Sequence, residues 1–150
     1  HGNMKYLSKK VKNEHGNFDS KDEFDRYLYL KHMEDIGEIS FLQRQVRFEI
    51  IPKLIRKEKV QLKTKVKEVE RVEEIAAHYT ADFCYIDNEG KYIIEELKSN
   101  YTKNLADYIL RRKLIKRMIF LHNEEVGFVD WEFKEVVSDG KKRKSKGKVH

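Results

Sequence analysis

Two β-rich runs, residues 79–86 and 91–98, flank the tetrapeptide Asp87-Asn88-Glu89-Gly90, and runs so close together must fold back on one another as a hairpin. Loop length sets the register. A three-residue loop, Asn88-Glu89-Gly90, puts Gly90 at the left-handed position such loops require, and pairs Ile86 with Tyr92, Cys84 with Ile94 and Asp82 with Glu96. A two-residue loop would shift every pair by one. Side chains two apart share a face of a strand, so Glu96 and Lys98 point the same way and Glu95 points the other. Phe83, Tyr85, Ile93, Ile94 and Leu97 mark both faces as largely buried, and Asp82, Glu95, Glu96 and Lys98 gather where the apolar pattern stops. Glu95 is expected at the surface or in a salt bridge, and a bulge would exchange it with Glu96.

The rest of the chain supplies partners for this hairpin. Met4 reads as the native start, with His1-Gly2-Asn3 as a tag remnant, and residues 1–17 as a flexible arm. In Phe18-Asp19-Ser20-Lys21-Asp22-Glu23-Phe24, Ser20 is a good N-cap and Glu23 falls at the third helical position, the pattern of a capping box. Phe24, Tyr27, Leu28 and Ile36 form a stripe, and Gly37 ends that helix. Val46, Phe48 and Ile50 alternate with Arg47 and Glu49 as in a strand, which Pro52 closes. Residues 53–77 carry two periods. Val60, Leu62, Thr64 and Val66 alternate, whereas Val66, Val69, Val72 and Ile75 recur every three residues. We read a strand changing to a helix, in a solvated insertion around 56–75. Residues 104–122 form a long helix with Leu105, Tyr108, Ile109, Ile115, Met118 and Ile119 on its apolar face and Arg112, Lys113, Lys116 and Arg117 on a basic one. Val129, Trp131 and Phe133 alternate in a last strand, with Trp131 in the core, before a basic disordered tail at 138–150. The order α-β-(insert)-β-β-α-β describes an α/β domain over 18–137, a mixed sheet flanked by helices.

Charge narrows the partners less than it first suggests. The chain carries 32 basic and 26 acidic residues, a net +6. Lys141, Lys142, Arg143, Lys144, Lys146 and Lys148 supply all of that, so residues 1–139 are neutral in sum and any nucleic-acid face there needs charge segregation. The tail could add salt-sensitive affinity for nucleic acid. No apolar run is long enough for a membrane span, and the lone Cys84 fits a reducing cytoplasm as a buried strand thiol. The six histidines show no zinc-ligand spacing.

Asp82 directly across from Glu96 would hold two carboxylates on Cβ atoms about 4.5–5.5 Å apart, which repel unless a cation sits between them. Oxygen-only donors suit a hard ion such as Mg²⁺ or Mn²⁺. A lysine beside such an ion stabilises developing charge or orients and deprotonates a water. The alternative for the same residues is plain solvation at a strand end, or a structural ion pair.

Further motifs point the same way. F-D-S-K-x-E-x-x-x-Y-L at 18–28, G-E-I at 37–39, Q-x-x-F-E-I-x-P at 45–52, Y-T-A-D-F-x-Y at 79–85, E-x-K at 96–98 and Y-x-L-x-R-K-L at 108–114 resemble a family of small bacteriophage proteins. That family, long known only as a phage domain of unknown function, is placed among the PD-(D/E)xK endonucleases of the junction-resolvase kind. The resemblance covers about residues 15–136. It implies a restriction-endonuclease-like fold and Mg²⁺- or Mn²⁺-dependent cleavage of DNA, including branched DNA, in the cytoplasm of a bacterial host. It implies Asp82, Glu96 and Lys98 as catalytic residues, and Glu23 as a metal ligand beside Asp82 and Glu96, although a capping box by itself explains a Glu there. Thr102, Arg112, Lys113, Lys116 and Arg117 are candidate nucleic-acid contacts, and a homodimer would suit paired cuts. Ala81 stands where relatives have Pro, Ser99 where many have Gly, and 56–75 is longer than usual. The competing function is a non-catalytic nucleic-acid-binding or phage assembly module that keeps the fold.

Overall fold

The structure, a computed structural model, describes residues 11–13, 15–99 and 105–138. Its elements are β1 (Val11–Asn13), β2 (Gly16–Phe18), α1 (Lys21–Asp35), β3 (Ser40–Ile51), β4 (Leu54–Gln61), β5 (Val66–Glu74), β6 (Ala77–Ile86), β7 (Tyr92–Ser99), α2 (Ala106–Val126) and β8 (Trp131–Ser138). The chain divides into two compact units, residues 1–46 with 81–150, and residues 47–80.

The first unit is mixed α/β. In the four-stranded sheet the order is β3-β6-β7-β8. β6 and β7 are antiparallel, whereas β7 and β8 are parallel and joined through α2, the helical crossover that parallel neighbours need. The hairpin has the register of a three-residue loop: Ile86 pairs with Tyr92 and Cys84 with Ile94. Gly90 has φ 86°, a left-handed conformation that side chains resist. The Asp87 carboxylate accepts the Glu89 and Lys91 N–H groups, each at 2.9 Å, which holds the turn.

Helix α1 begins as its capping box dictates, with Ser20 Oγ accepting the Glu23 N–H at 3.1 Å. It covers one face of the sheet, where Leu30 packs with Phe83, Tyr85 and Ile93 and is flanked by Tyr27, Ile39 and Leu42. Residues of the opposite parity, Cys84 and Ile94, are buried on the other face, where α2 contributes buried Tyr108, Ile115 and Ile119. Helix α2 runs past the expected end at 122, because Gly127 is the residue that takes the left-handed cap (φ 91°). Trp131 is half-buried rather than a core residue, with its ring stacked on His122 at 4.0 Å.

Two further expectations change. Residues 11–13 and 16–18 are strand rather than loose arm: β1 and β2 pair antiparallel, and buried Phe18 meets the rings of Phe24 and Tyr27. Residues 66–74 are strand, not helix. β5 pairs antiparallel with β4, setting Glu68 against Lys59 and Glu70 against Lys57. The acid block after the lysine block is therefore a cross-strand complement. The three-residue spacing merely distributes Val66 and Val72 to one face of this ribbon and Val69 to the other. The tail beyond Ser138 lies outside the described residues, and among those described no helix is long and apolar enough to cross a membrane.

Candidate functional site

The β6–β7 ladder runs from Ile86–Tyr92 to Phe83–Glu95. Just past its end Asp82 lies close enough to Glu96 for their charges to interact, and Asp82 Oδ2 accepts the Leu97 N–H at 2.8 Å. Glu96, buried, pairs with Lys98 Nζ at 3.0 Å, as expected for residues two apart on one face. The Lys98 ammonium also lies 4.9 Å from the centre of the Tyr108 ring, contributed by α2. The hairpin therefore brings Asp82, Glu96 and Lys98 together.

Glu23 comes from the first turn of α1 and is buried. Its Oε1 accepts the Asp19 N–H at 2.8 Å, and its Oε2 accepts the Gln45 amide at 2.6 Å, with Arg44 3.7 Å away. The role in the helix start is thus real. It does not use up the charge, because Glu23 is near enough to act on Asp82. Burial first, and then the negative charge of Glu96, hold the Asp82 carboxyl well above the usual carboxylate range. The Leu97 N–H opposes this, Glu23 adds to it and Lys98 offsets part. Asp82 and Glu96 share Lys98 in a desolvated corner, while Glu23, itself 3.7 Å from Arg44, adds to the negative field at Asp82.

Glu95, the neighbour on the opposite face, has the reverse situation. It is fully buried, not at the surface; Arg26 grips it through Nε at 2.7 Å and a terminal nitrogen at 2.9 Å, and the Tyr85 hydroxyl donates at 2.7 Å. That carboxylate is fully satisfied and takes a structural role.

For a hard cation the donor chemistry at Asp82, Glu96 and Glu23 fits, since all are oxygen donors and a cation would relieve the repulsion that raises Asp82. The side chains are not gathered as a ligand set: Glu96 turns to Lys98 and Glu23 to Gln45, and among the described residues no group of three or more His, Cys, Asp or Glu is placed to hold a metal ion.

Helix α2 carries Arg111, Arg112, Lys113, Lys116 and Arg117 within two turns, with no acid from Tyr108 to Asn123. Lys113, Lys116 and Arg117 are exposed, while half-buried Arg112 lies 5.8 Å from the Tyr108 ring and so borders the Lys98 corner. Thr102 lies outside the described residues. Cys84 is buried and its thiol is pushed up to about 11, chiefly by burial, so it is no nucleophile.

Two partners had no role in the residue-by-residue reading. Gln45, present in the Q-x-x-F-E-I-x-P motif, has its backbone at φ 53°, outside normal strand geometry, while its amide holds Glu23. Glu135 of β8 is the register neighbour of Glu96, a fourth carboxylate, and the Tyr108 hydroxyl donates to it. The motif spacing flagged Gln45 without a role. The Tyr108–Glu135 contact had no local signal.

A family model described as "Protein of unknown function (DUF1064)" matches residues 3–134. No curated protein and no solved structure matches the chain.

Proposed function

The chain belongs to this family, and we propose that it is a divalent-metal-dependent nuclease hydrolysing phosphodiester bonds in DNA. One observation carries the reading: at the end of the β6–β7 ladder, Asp82, Glu96 and Lys98 meet in a corner where acids outnumber the lysine, next to Glu23. Asp82 and Glu96, with Glu23 as a third donor, are the residues that would hold Mg²⁺ or Mn²⁺. When bound, such an ion neutralises phosphate charge and favours attack by water. Lys98, freed from Glu96, would donate to the charge developing on the phosphate. Arg112 and the exposed cations of α2 supply attraction for the backbone of a nucleic acid. Branched DNA is the substrate we favour, with a homodimer making the paired cuts.

The experiment incubates purified protein with supercoiled, single-stranded and four-way-junction DNA in Mg²⁺ or Mn²⁺. Cleavage is expected, falling by about two orders of magnitude or more in Asp82→Ala, Glu96→Ala and Lys98→Ala with melting behaviour retained. No cleavage of any of the three DNAs in either metal would sink the proposal.

A second reading, a nucleic-acid-binding module without catalysis, draws on the Glu96–Lys98 ion pair and the dispersed carboxylates. Calorimetry with Mn²⁺ separates the two. Heat of binding that disappears in Asp82→Ala favours the nuclease, whereas no heat together with DNA binding intact in that variant favours the module.

A further inference from the structure

The second unit, residues 47–80, contains the two-stranded ribbon β4–β5, whose charge is distributed unevenly along its length. Near its base the charges are matched. Glu58 binds Arg56 at 3.0 Å and Arg71 at 2.7 Å, and Arg71 foremost holds Glu58 below its ordinary range. Arg56 also lies 3.8 Å from Glu73. On the opposite face Lys57 stands against Glu70 and Lys59 against Glu68. Towards the turn this matching stops. From Val60 to Lys67 the sequence Val-Gln-Leu-Lys-Thr-Lys-Val-Lys holds three lysines and no acid. Lys63, Lys65 and Lys67 are exposed, and among the described residues none of them forms an ion pair. The turn itself is closed by the Leu62 N–H to the Lys65 carbonyl at 2.8 Å, with the Gln61 amide on the Leu62 carbonyl at 2.7 Å.

We infer that the tip of this ribbon is a docking element for the groove of duplex DNA, with Lys63, Lys65 and Lys67 on the flanking phosphates. The fit is one of shape and charge together. Two paired strands lie about 4.8 Å apart, and the major groove, about 12 Å wide, admits a two-stranded ribbon. Lys63, Lys65 and Lys67, which form no ion pair among the described residues, match the phosphates on either wall. A protein surface offers no such periodic negative charge, and the apolar residues at the tip, Leu62 and Val66, number too few for a protein interface of ordinary size. The inference shares the DNA partner of the proposed function but none of its metal chemistry.

The test measures anisotropy of a labelled 30-base-pair duplex (a probe of about three helical turns) in EDTA, across a salt series, for the wild-type chain and for Lys63→Gln/Lys65→Gln/Lys67→Gln. Each lysine on a phosphate adds about 0.9 to the slope of log affinity on log salt. The triple variant should therefore lose about 2–3 from that slope and bind about tenfold or more weakly at 0.1 M salt, with an unchanged circular dichroism spectrum. Equal slopes and affinities overturn the inference, as does a wild-type chain that fails to bind duplex. A change of sedimenting mass in the variant without a change of slope also overturns it, assigning the tip to a second copy of the chain. Cleavage is scored separately in Mn²⁺. Salt-sensitive binding through the lysines with no cleavage removes the nuclease and leaves the ribbon; cleavage with silent lysines does the reverse.

Discussion

The two faces of the β6–β7 hairpin treat adjacent glutamates in opposite ways. On the α1 face, Glu95 is buried with a bidentate arginine and a tyrosine hydroxyl, so charge and hydrogen bonds are both accounted for. On the other face, Glu96 shares one lysine with Asp82, and Glu23, paired with Arg44, still adds to the negative field at Asp82. Burial is similar on the two sides; compensation is not. A buried acid with a matched partner holds the fold together, while one left short of cations stores unfavourable energy that only an added positive charge removes. This contrast separates the structural carboxylate from the candidate catalytic ones, although nothing in the pair Glu95-Glu96 itself distinguishes them.

The contrast can be broken most decisively at Arg26. Arg26→Ala leaves Glu95 buried without its bidentate cation and should cost about 3–5 kcal/mol in urea denaturation, whereas Lys98→Ala removes a more exposed cation that meets Glu96 through one contact and should cost less. Equal losses would make the two faces alike. A smaller effect, of the opposite sign, is expected at Asp82. An unfolded Asp gives up its proton near pH ~3.9, while the folded Asp82 carboxyl keeps its own to higher pH. Across that window the folded state binds more protons, so wild-type stability falls as pH rises and stays reduced above it. Asp82→Asn, whose side-chain oxygen can still accept the Leu97 N–H, escapes this loss. In EDTA it should therefore melt above wild type at neutral pH and converge with it in acid. A variant less stable at neutral pH would show Asp82 to be compensated after all. The smallest effect is at Gln45: Gln45→Ala removes the amide on Glu23 and should lower stability by about 1 kcal/mol. No change would mean that the Asp19 N–H and Arg44 suffice to hold Glu23.

Much of the site was legible because it depends on neighbours in sequence. The turn chemistry of Asn88-Glu89-Gly90 sets the register within a few residues, and alternation then puts Glu96 with Lys98 on one face. The Ser20–Glu23 box is likewise local. The failures share a cause. Residues 66–74 have a helical spacing of valines, but the pairing of Glu68 and Glu70 with lysines of β4 outweighs it, since a strand partner contributes hydrogen bonds and opposed charges that spacing alone cannot reveal. The β1–β2 hairpin was overlooked because a polar stretch with few apolar residues gives no period, and what holds it is the packing of Phe18 against α1.

By itself, the sequence determined the hairpin, its register, the start of α1 and the identity of the acids and the lysine at the candidate site. These follow from torsional preferences and from the two-residue period of a strand, which act over a few bonds. Only the tertiary structure decided which glutamate is neutralised. Arg26 and Glu95 lie 69 residues apart, Gln45 and Glu23 lie 22 apart, and Tyr108 reaches Glu135 from another element. Compensation of a buried charge is a property of everything packed around it, and for Asp82 and Glu96 that packing leaves the balance negative.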